Sequence, residues 1–141
     1  AELIDDALHI QPPMIRALFK LMGAERIILI SDSIAACGMA DGVYHSPDGM
    51  DIRLKNGRAT LDGTDTLAGS VTPLFAGVRR ISAAGIPLEQ AIAAATLNPA
   101  RRYGLEAELG AVEEGLRADL LLCTADLAPE RVYIGGSAVE E

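Results

Sequence analysis

The feature that most constrains the fold is a short apolar run, IILI at residues 27–30, which is followed at once by the polar sequence SDS. Four consecutive apolar residues have no helical period, and they suit a strand that is buried on both faces, as in a parallel sheet. Asp32 then lies at the carboxyl end of this strand. In barrels of alternating strands and helices that edge faces the active site, whereas an aspartate at the opposite edge is more often a turn or cap residue.

The residues before this run complete a strand–helix–strand unit. AELIDDALHI at residues 1–10 can form a strand that ends in a polar loop, and Pro12 and Pro13 suit the first turn of a helix, where a missing N–H is harmless. Apolar residues follow at the spacing of one helix face, and the helix should end at Gly23. They are Ile15, Leu18, Phe19 and Met22. Residues 1–32 therefore predict two parallel strands joined by a helix.

The middle of the chain has a different pattern, with short alternating runs separated by turn sequences. SPDG and KNGR supply turn residues, while Ile52 and Leu54 alternate with charged residues as on a half-exposed strand. This pattern predicts a β-hairpin insertion at about residues 42–62.

Two helices are predicted after the hairpins. Thr72 followed by Pro73 is typical of an N-cap with proline at the first helical position, and this helix should end near Gly85. Pro87 opens the next helix, and the Asn-Pro pair at residues 98–99 is expected to end it while capping a further short turn.

Composition disfavours several classes of function. The chain has 12 Lys and Arg against 20 Asp and Glu, a net charge of −8, so it lacks the basic surface that a nucleic-acid partner requires. No apolar stretch approaches the roughly 18 residues that span a bilayer, and acidic residues stand where a signal peptide carries Lys or Arg. We therefore predict a cytoplasmic protein with no membrane partner. Cys37 and Cys123 have no metal-ligand or disulfide spacing, and we expect both to be small buried residues.

Four sequence features, in this order, carry a resemblance to a known family. They are DALHI after the first strand, SDS after the second, TLAGS before a helix, and NPARRYGL followed by LGAVEEGLRADLLL. The series resembles the C-terminal part of the N-acetylglucosamine-6-phosphate deacetylases, which are metal-dependent (β/α)8 hydrolases of the amidohydrolase superfamily. It extends over essentially the whole chain. A complete barrel needs about 250 residues, so the resemblance implies that these 141 residues are one part of such an enzyme.

The fold class that the resemblance implies is α/β. Residues 1–105 correspond to the C-terminal part of the (β/α)8 barrel, its last two βα units, with the hairpin insertion at about residues 42–62. Residues 106–141 contain the apolar runs LLLC and RVYIGG and correspond to strands of a small β-sandwich domain. Because the chain opens directly on a strand, we also expect an interior cut at Ala1.

Asp32 matches the family's catalytic aspartate at the end of the eighth barrel strand. In the family's reaction a metal polarises the acetamide carbonyl, the aspartate takes a proton from the attacking water, and the resulting acid protonates the amine as the C–N bond breaks. An aspartate is a weak base, but it can deprotonate a water whose pKa a metal has lowered to about 7. The implied products are glucosamine 6-phosphate and acetate.

The resemblance implies substrate contacts at two further places. One is a segment at the end of the seventh barrel strand, and the other is a loop whose backbone contacts the sugar. The residues are Asp6, Ala7, Leu8 and His9 in the first place, and Leu67, Ala68 and Gly69 in the second. Ala7 stands where the family usually has Gly.

The resemblance also implies a cofactor and partners. The cofactor is a divalent metal, zinc or iron, whose ligands, a Glu and two His, come from earlier barrel strands. Only His9 and His45 are present here, so the metal ligands are not expected in this chain. The chain alone should be inactive and should need the N-terminal half of the barrel.

Two alternatives stay open. The enzyme can be another member of the superfamily, such as a galactosamine-type deacetylase or a cyclic-amide hydrolase. The chain can instead be a non-catalytic module, because a half-barrel with exposed strand edges should associate with itself as a homo-oligomer or with a complementary half.

Overall fold

The predicted strand–helix–strand unit is confirmed at the start of the chain. The computed structural model describes residues 1–47 and 49–140, and in it β1 is Glu2–Ile4, α1 is Pro12–Met22 and β2 is Ile28–Ile30. β1 and β2 are parallel, and their register pairs Ile4 with Ile30. The two prolines occupy the first turn of α1, as predicted.

The main hydrophobic core lies between this parallel pair and the helices. Three helices follow later in the chain: α2 is Leu74–Ala83, α3 is Leu88–Ala95 and α4 is Leu97–Tyr103. The core residues come from both strands, from α1, α2 and α3, and from the turns beside them. They are Leu3, Ile15, Phe19, Ile27, Leu29, Val78, Ile81, Ile86, Ala91 and Ala94.

Burial of the IILI run on both faces is not observed. Ile27 and Leu29 are buried against the helices, whereas Ile28 and Ile30 are only partly buried. The physical reason is that, among the residues described, no layer of side chains fully covers the second face of the β1–β2 pair.

The predicted N-cap of α2 is wrong by one residue. Pro73, not Thr72, is the N-cap, because its ψ of 142° is extended and its carbonyl accepts the first hydrogen bond, from the Ala76 N–H at 3.0 Å. The predicted end near Gly85 is confirmed.

The role predicted for Asn98 is also wrong. Helix α3 already ends at Ala95, and Asn98 lies inside the first turn of α4, where it is buried. Its side-chain amide donates to the carbonyl oxygens of Ala24 at 2.8 Å and Ile27 at 2.7 Å. Asn98 therefore ties α4 to the chain that enters β2 and does not end α3.

The hairpin region forms a three-stranded antiparallel sheet in the order β3–β4–β5. Its strands are Gly42–His45, Asp51–Lys55 and Arg58–Leu61. β4 and β5 are joined by the two-residue turn Asn56-Gly57, and both turn residues have the positive φ that such a turn requires. Asp48, in the predicted SPDG turn, lies outside the described residues.

The last part of the chain forms a second antiparallel sheet, in the order β6–β7–β8. Its strands are Leu120–Cys123, Pro129–Ile134 and Ser137–Ala138. Glu141 lies outside the described residues. The LLLC strand is largely exposed, so Cys123 is only partly buried; Cys37, in a surface turn, is also only partly buried. The predicted burial of both cysteines is therefore wrong. None of the described helices is long and apolar enough to cross a bilayer.

Candidate active site

Two aspartates lie at the same edge of the parallel pair. β1 and β2 end at the paired residues Ile4 and Ile30, and an aspartate follows two residues later in each case, Asp6 after β1 and Asp32 after β2. Adjacent strands of a sheet are about 4.8 Å apart, and the carboxyl ends of parallel strands meet at one edge. The topology therefore brings two of the predicted site segments together.

The loop after β2 is fixed by the segment that precedes α2. The Asp32 carbonyl accepts the Ser70 N–H at 2.9 Å, and the Ile34 N–H donates to the Ser70 carbonyl at 2.9 Å. Ser33 and Ser70 form a parallel bridge. Asp32 has a φ of 49°, in the left-handed region that aspartate tolerates better than most residues. These bonds place the predicted sugar-contacting loop directly beside Asp32.

Gly69 makes the close approach between these two segments possible. Its φ is 118°, and a Cβ at this position would lie 2.7 Å from Ile34 Cγ2 and 3.2 Å from the Asp32 carbonyl oxygen. The same Cβ position is 3.8 Å from Asp32 Oδ2, so a side chain here would also contact the carboxylate. A side chain here would separate the loops.

Leu67 and Ala68 connect the site to the hairpin sheet. Leu67 forms an antiparallel bridge with Thr60, and the Ala68 N–H donates to the Ala59 carbonyl at 3.1 Å. The whole Leu67–Gly69 segment is therefore held between β5 and the Asp32 loop.

The Asp32 carboxylate itself is open. The residue is exposed, and within the described part of the chain its carboxylate has no hydrogen-bond partner. An accessible, unoccupied carboxylate can accept a proton from one reactant and return it to another.

The Asp6 carboxylate is, in contrast, fully engaged. Its side chain is 2% exposed. Oδ1 accepts the N–H groups of Leu8 and His9, each at 2.9 Å, and Oδ2 lies 2.8 Å from His9 Nδ1. Burial alone would raise the pKa of Asp6, but the hydrogen bonds from the His9 and Leu8 amides and from the His9 ring outweigh it and lower the pKa. Asp6 is an anion that organises its own turn.

The Asp6 turn presents the side chains of Leu8 and His9. Because a carboxylate only accepts, His9 Nδ1 carries the hydrogen of the shared bond, and Nε2 is the ring atom that remains for another partner. The His9 side chain is 24% exposed and Leu8 is exposed.

Ala7, at the apex of the turn, has a φ of 64°. An L-residue other than Gly is unfavourable by about 1–2 kcal/mol in this region, which explains why a Gly would suit the position. The alanine is accommodated because the Asp6 hydrogen bonds hold the turn around it.

Sequence reasoning missed a buried pair beside this turn, Asp5 and Arg80. The Asp5 side chain is 3% exposed, and its Oδ2 lies 3.7 Å from Arg80 Nε, while Arg80 Nη2 donates to the Asp5 backbone carbonyl. Burial raises the pKa of Asp5, and the attraction of Arg80 offsets only part of that effect. The acidic doublet at a strand end was a signal for Asp5, but Arg80 is 75 residues away and had none.

The described residues do not fit a metal centre. In residues 1–47 and 49–140, no group of three or more His, Cys, Asp or Glu side chains could hold a metal ion. His45 is exposed and pairs with Asp51 at 2.8 Å in the hairpin sheet. No metal-dependent step is therefore assigned to the residues of this chain.

Comparison with known proteins shows similarity to amidohydrolases. The amidohydrolase family model matches residues 49–139. The N-acetylglucosamine-6-phosphate deacetylase of Caenorhabditis elegans is 34% identical over 97% of this chain and 32% of its own length. The N-acetylgalactosamine-6-phosphate deacetylase of Escherichia coli O157:H7 is 33% identical over 96% of this chain and 35% of its own length. The chain thus spans about a third of the length of these curated relatives.

A solved structure is similar over the same extent. It is an aspartate-to-alanine mutant of the Mycobacterium smegmatis N-acetyl-D-glucosamine-6-phosphate deacetylase, in complex with N-acetyl-D-glucosamine-6-phosphate. It superposes with a TM-score of 0.88 at 37% identity and covers 97% of this chain and 36% of that one. The likeness includes both the strand–helix part and the terminal sheet.

Proposed function

The chain belongs to the amidohydrolase family, and from this premise we propose that it is the part of a deacetylase that carries the acid–base aspartate. The proposed reaction removes the acetyl group from N-acetylglucosamine 6-phosphate and gives glucosamine 6-phosphate and acetate. Residues 1–105 would form the last two βα units of the (β/α)8 barrel, and residues 106–141 would contribute strands to a small β-sandwich domain.

The observation that carries this proposal is the pairing of an open carboxylate with a close backbone. Asp32 is exposed at the carboxyl edge of the parallel pair, and the Gly69 loop beside it has no side chain at the point where a Cβ would lie 3.8 Å from Asp32 Oδ2. This arrangement supports a site where a substrate contacts the loop backbone and a proton acceptor at the same time.

Each residue of the site then has a distinct proposed role. Asp32 accepts a proton from the water that attacks the acetamide carbon, and it returns this proton to the nitrogen as the C–N bond breaks. His9 offers Nε2 to a polar group of the sugar phosphate, in a position fixed by Asp6. The backbone at Leu67, Ala68 and Gly69 contacts the sugar, and Leu8 covers its apolar edge.

The family implies a divalent metal, zinc or iron. Since the described residues offer no fitting ligand set, the ligands are proposed to come from the rest of the barrel, which is the partner that this chain needs.

Complementation tests the proposal. The chain would be combined with the N-terminal two thirds of the Mycobacterium smegmatis relative and with zinc or ferrous iron, and acetate release from N-acetylglucosamine 6-phosphate would be measured. We expect no release from either part alone and clear release from the mixture. A well-folded mixed complex that binds metal but releases no acetate would contradict the proposal.

The identity of the hexosamine is a second question, which the similarity to the Escherichia coli galactosamine-type deacetylase raises directly. The same mixture would be assayed with the two epimeric substrates, N-acetylglucosamine 6-phosphate and N-acetylgalactosamine 6-phosphate. A higher kcat/KM for the galactosamine epimer would assign the chain to the alternative substrate.

Self-association of the isolated chain is also proposed, because the terminal sheet exposes apolar side chains. Leu122 is 52% exposed and Ile134 is 62% exposed. Such a face favours association with another protein surface. Gel filtration with light scattering should give a dimer or larger species, and a clean monomer at micromolar concentration would refute this part of the proposal.

A further inference from the structure

Arg80 makes a contact that the proposed roles do not use. It lies on α2, and its guanidinium reaches the residue that follows β1, where Nη2 donates to the backbone carbonyl of Asp5. That carbonyl belongs to the peptide group that joins Asp5 to Asp6. Arg80 therefore holds the backbone at the point where the chain enters the Asp6 turn.

Gly77 supports the same carbonyl from the same helix. A Cβ at Gly77 would lie 3.3 Å from the Asp5 carbonyl oxygen and 3.3 Å from Leu29 Cδ2, so the α2 backbone packs directly on this point. Gly77 and Arg80 are three residues apart and lie on one face of the helix. The two residues form a clamp, one by close packing and the other by a hydrogen bond.

The other end of α2 is connected to the Asp32 loop. Ser70, which is bonded to Asp32 and Ile34, stands four residues before the first residue of α2. The segment that leads into α2 is thus bonded to the Asp32 loop, and α2 itself contacts the start of the Asp6 turn through the clamp.

We propose that Gly77 and Arg80 position the Asp6–His9 turn relative to Asp32 by clamping the Asp5 carbonyl. Arg80 is then a positioning residue for the segment that is proposed to contact the substrate. The substrate role of this segment rests on the proposed function, but the test of the clamp does not. The hydrogen bonds inside the turn set its shape, whereas the clamp sets its place.

The carbonyl contact, rather than an ion pair, carries this inference. Asp5 Oδ2 and Arg80 Nε are 3.7 Å apart, which is longer than a hydrogen bond, and neither atom has a hydrogen-bond partner among the described residues. Burial raises the pKa of the Asp5 carboxyl group despite the nearby guanidinium, as expected for a poorly formed pair.

Amide hydrogen exchange in the 141-residue chain tests the clamp directly. The reporters are the Leu8 and His9 amides, and the Ser70 amide is the internal reference. Arg80→Met should speed exchange of the Leu8 and His9 amides roughly tenfold or more and leave the Ser70 amide unchanged. In the parent protein, opening of the turn must also break the hydrogen bond from Arg80 to the Asp5 carbonyl, and in the variant this cost is absent. Arg80→Lys, which keeps one donor, should restore part of the protection.

Two matched variants separate the explanations. Arg79→Met removes an exposed arginine from the neighbouring position of α2 and should leave all three amides unchanged. Asp5→Asn removes the charge but keeps the carbonyl, so it should also leave the turn protected. Equal effects of Arg80→Met and Arg79→Met would overturn the clamp, as would an Asp5→Asn variant that loosens the turn as much as Arg80→Met does.

If Arg80→Met unfolds the whole chain, exchange of every amide becomes faster, and the milder variant Arg80→Lys is used to test the clamp. A partial increase confined to Leu8 and His9 supports the clamp, and a uniform increase overturns it. In the complemented enzyme, Arg80→Met should raise KM roughly tenfold with a smaller change in kcat. If complementation gives no deacetylase, the proposed function fails while the exchange experiment still decides the clamp.

Discussion

The two loops at the carboxyl edge begin alike and end with opposite properties. Each places an aspartate two residues after the paired strand ends, and each contains one non-glycine residue with positive φ, Ala7 in the first and Asp32 in the second. The first loop turns back, so its own amides occupy the Asp6 carboxylate. In the second loop Ser70 takes the Asp32 carbonyl, and the carboxylate stays open.

Backbone direction, more than residue type or position, therefore decides what each carboxylate can do. An aspartate whose oxygens are saturated organises structure, whereas one whose backbone alone is held can exchange protons.

The largest effect is expected for Asp32→Asn in the complemented enzyme. Loss of a proton-transfer group should lower kcat by roughly 10²- to 10⁴-fold, and the free energy of unfolding should change by less than about 0.5 kcal/mol because the side chain is exposed. Acetate release and urea denaturation measure the two quantities. Asp65→Asn, at another exposed aspartate, is the matched control and should retain activity. An active Asp32→Asn enzyme would end the distinction.

Asp6→Ala should have the converse effect, a large loss of stability. It removes the acceptor for two amides and a ring nitrogen in a buried site, which should cost about 2–3 kcal/mol of unfolding free energy. Asp6→Asn keeps one oxygen acceptor and should cost less. Urea denaturation of both variants measures this, and an unchanged midpoint for Asp6→Ala would show that the turn holds itself without the carboxylate.

The neighbours Asp5 and Asp6 should respond to pH with opposite signs. Burial disfavours both carboxylates, but the hydrogen bonds of Asp6 reverse the shift, so its pKa is lowered in the folded state. Its stabilisation is present above its unfolded pKa and is lost as pH falls through the lower folded pKa. The pKa of Asp5 is raised by burial, so folding stability declines as pH rises from the unfolded pKa through the folded one.

Asp5→Asn isolates the second of these effects. It removes a buried carboxylate that has an unpaired oxygen, and it should raise stability at pH 7 by about 1 kcal/mol while making little difference at pH 3. Asp6→Asn should instead lower stability at pH 7 and approach the parent protein in acid. Urea midpoints across this range test both signs, and a destabilised Asp5→Asn at pH 7 would mean that the pair with Arg80 is stronger than its geometry indicates.

The smallest expected effect is that of Ala7→Gly. Relief of the left-handed alanine should exceed the added chain entropy and stabilise the protein by about 0.5 kcal/mol. Ala93→Gly, in the interior of α3, is the control and should destabilise by about 1 kcal/mol. Thermal unfolding measures both. If Ala7→Gly also destabilises, the turn does not strain its alanine.

The sequence predicted the elements whose signals are local. Proline pairs, turn dipeptides and apolar spacing located the strand–helix–strand unit, the hairpins and the helices to within a residue or two. The position of Asp32 at the carboxyl end of a strand followed from the apolar run before it, whereas Asp6 was singled out only by the family resemblance.

The properties that distinguish the two loops depend on contacts that no local pattern encodes. The sign of φ at Ala7, the bond from Ser70 to Asp32 and the reach of Arg80 to Asp5 all join distant or conformationally ambiguous positions. The role of Asn98 could not be predicted for the same reason. An asparagine whose side chain bonds to a carbonyl 71 residues away cannot be told, from the sequence, from one that caps a helix.

The distance along the chain between Arg80 and Asp5 also orders events during synthesis. The β3–β5 sheet is made of neighbouring strands and can form as soon as Leu61 has left the ribosome, because short loops close quickly. The clamp must wait for α2. A nascent chain that stops just before Arg80 already contains all eight predicted site residues. It still lacks the Arg80 hydrogen bond to the Asp5 carbonyl, at the start of the Asp6–His9 turn.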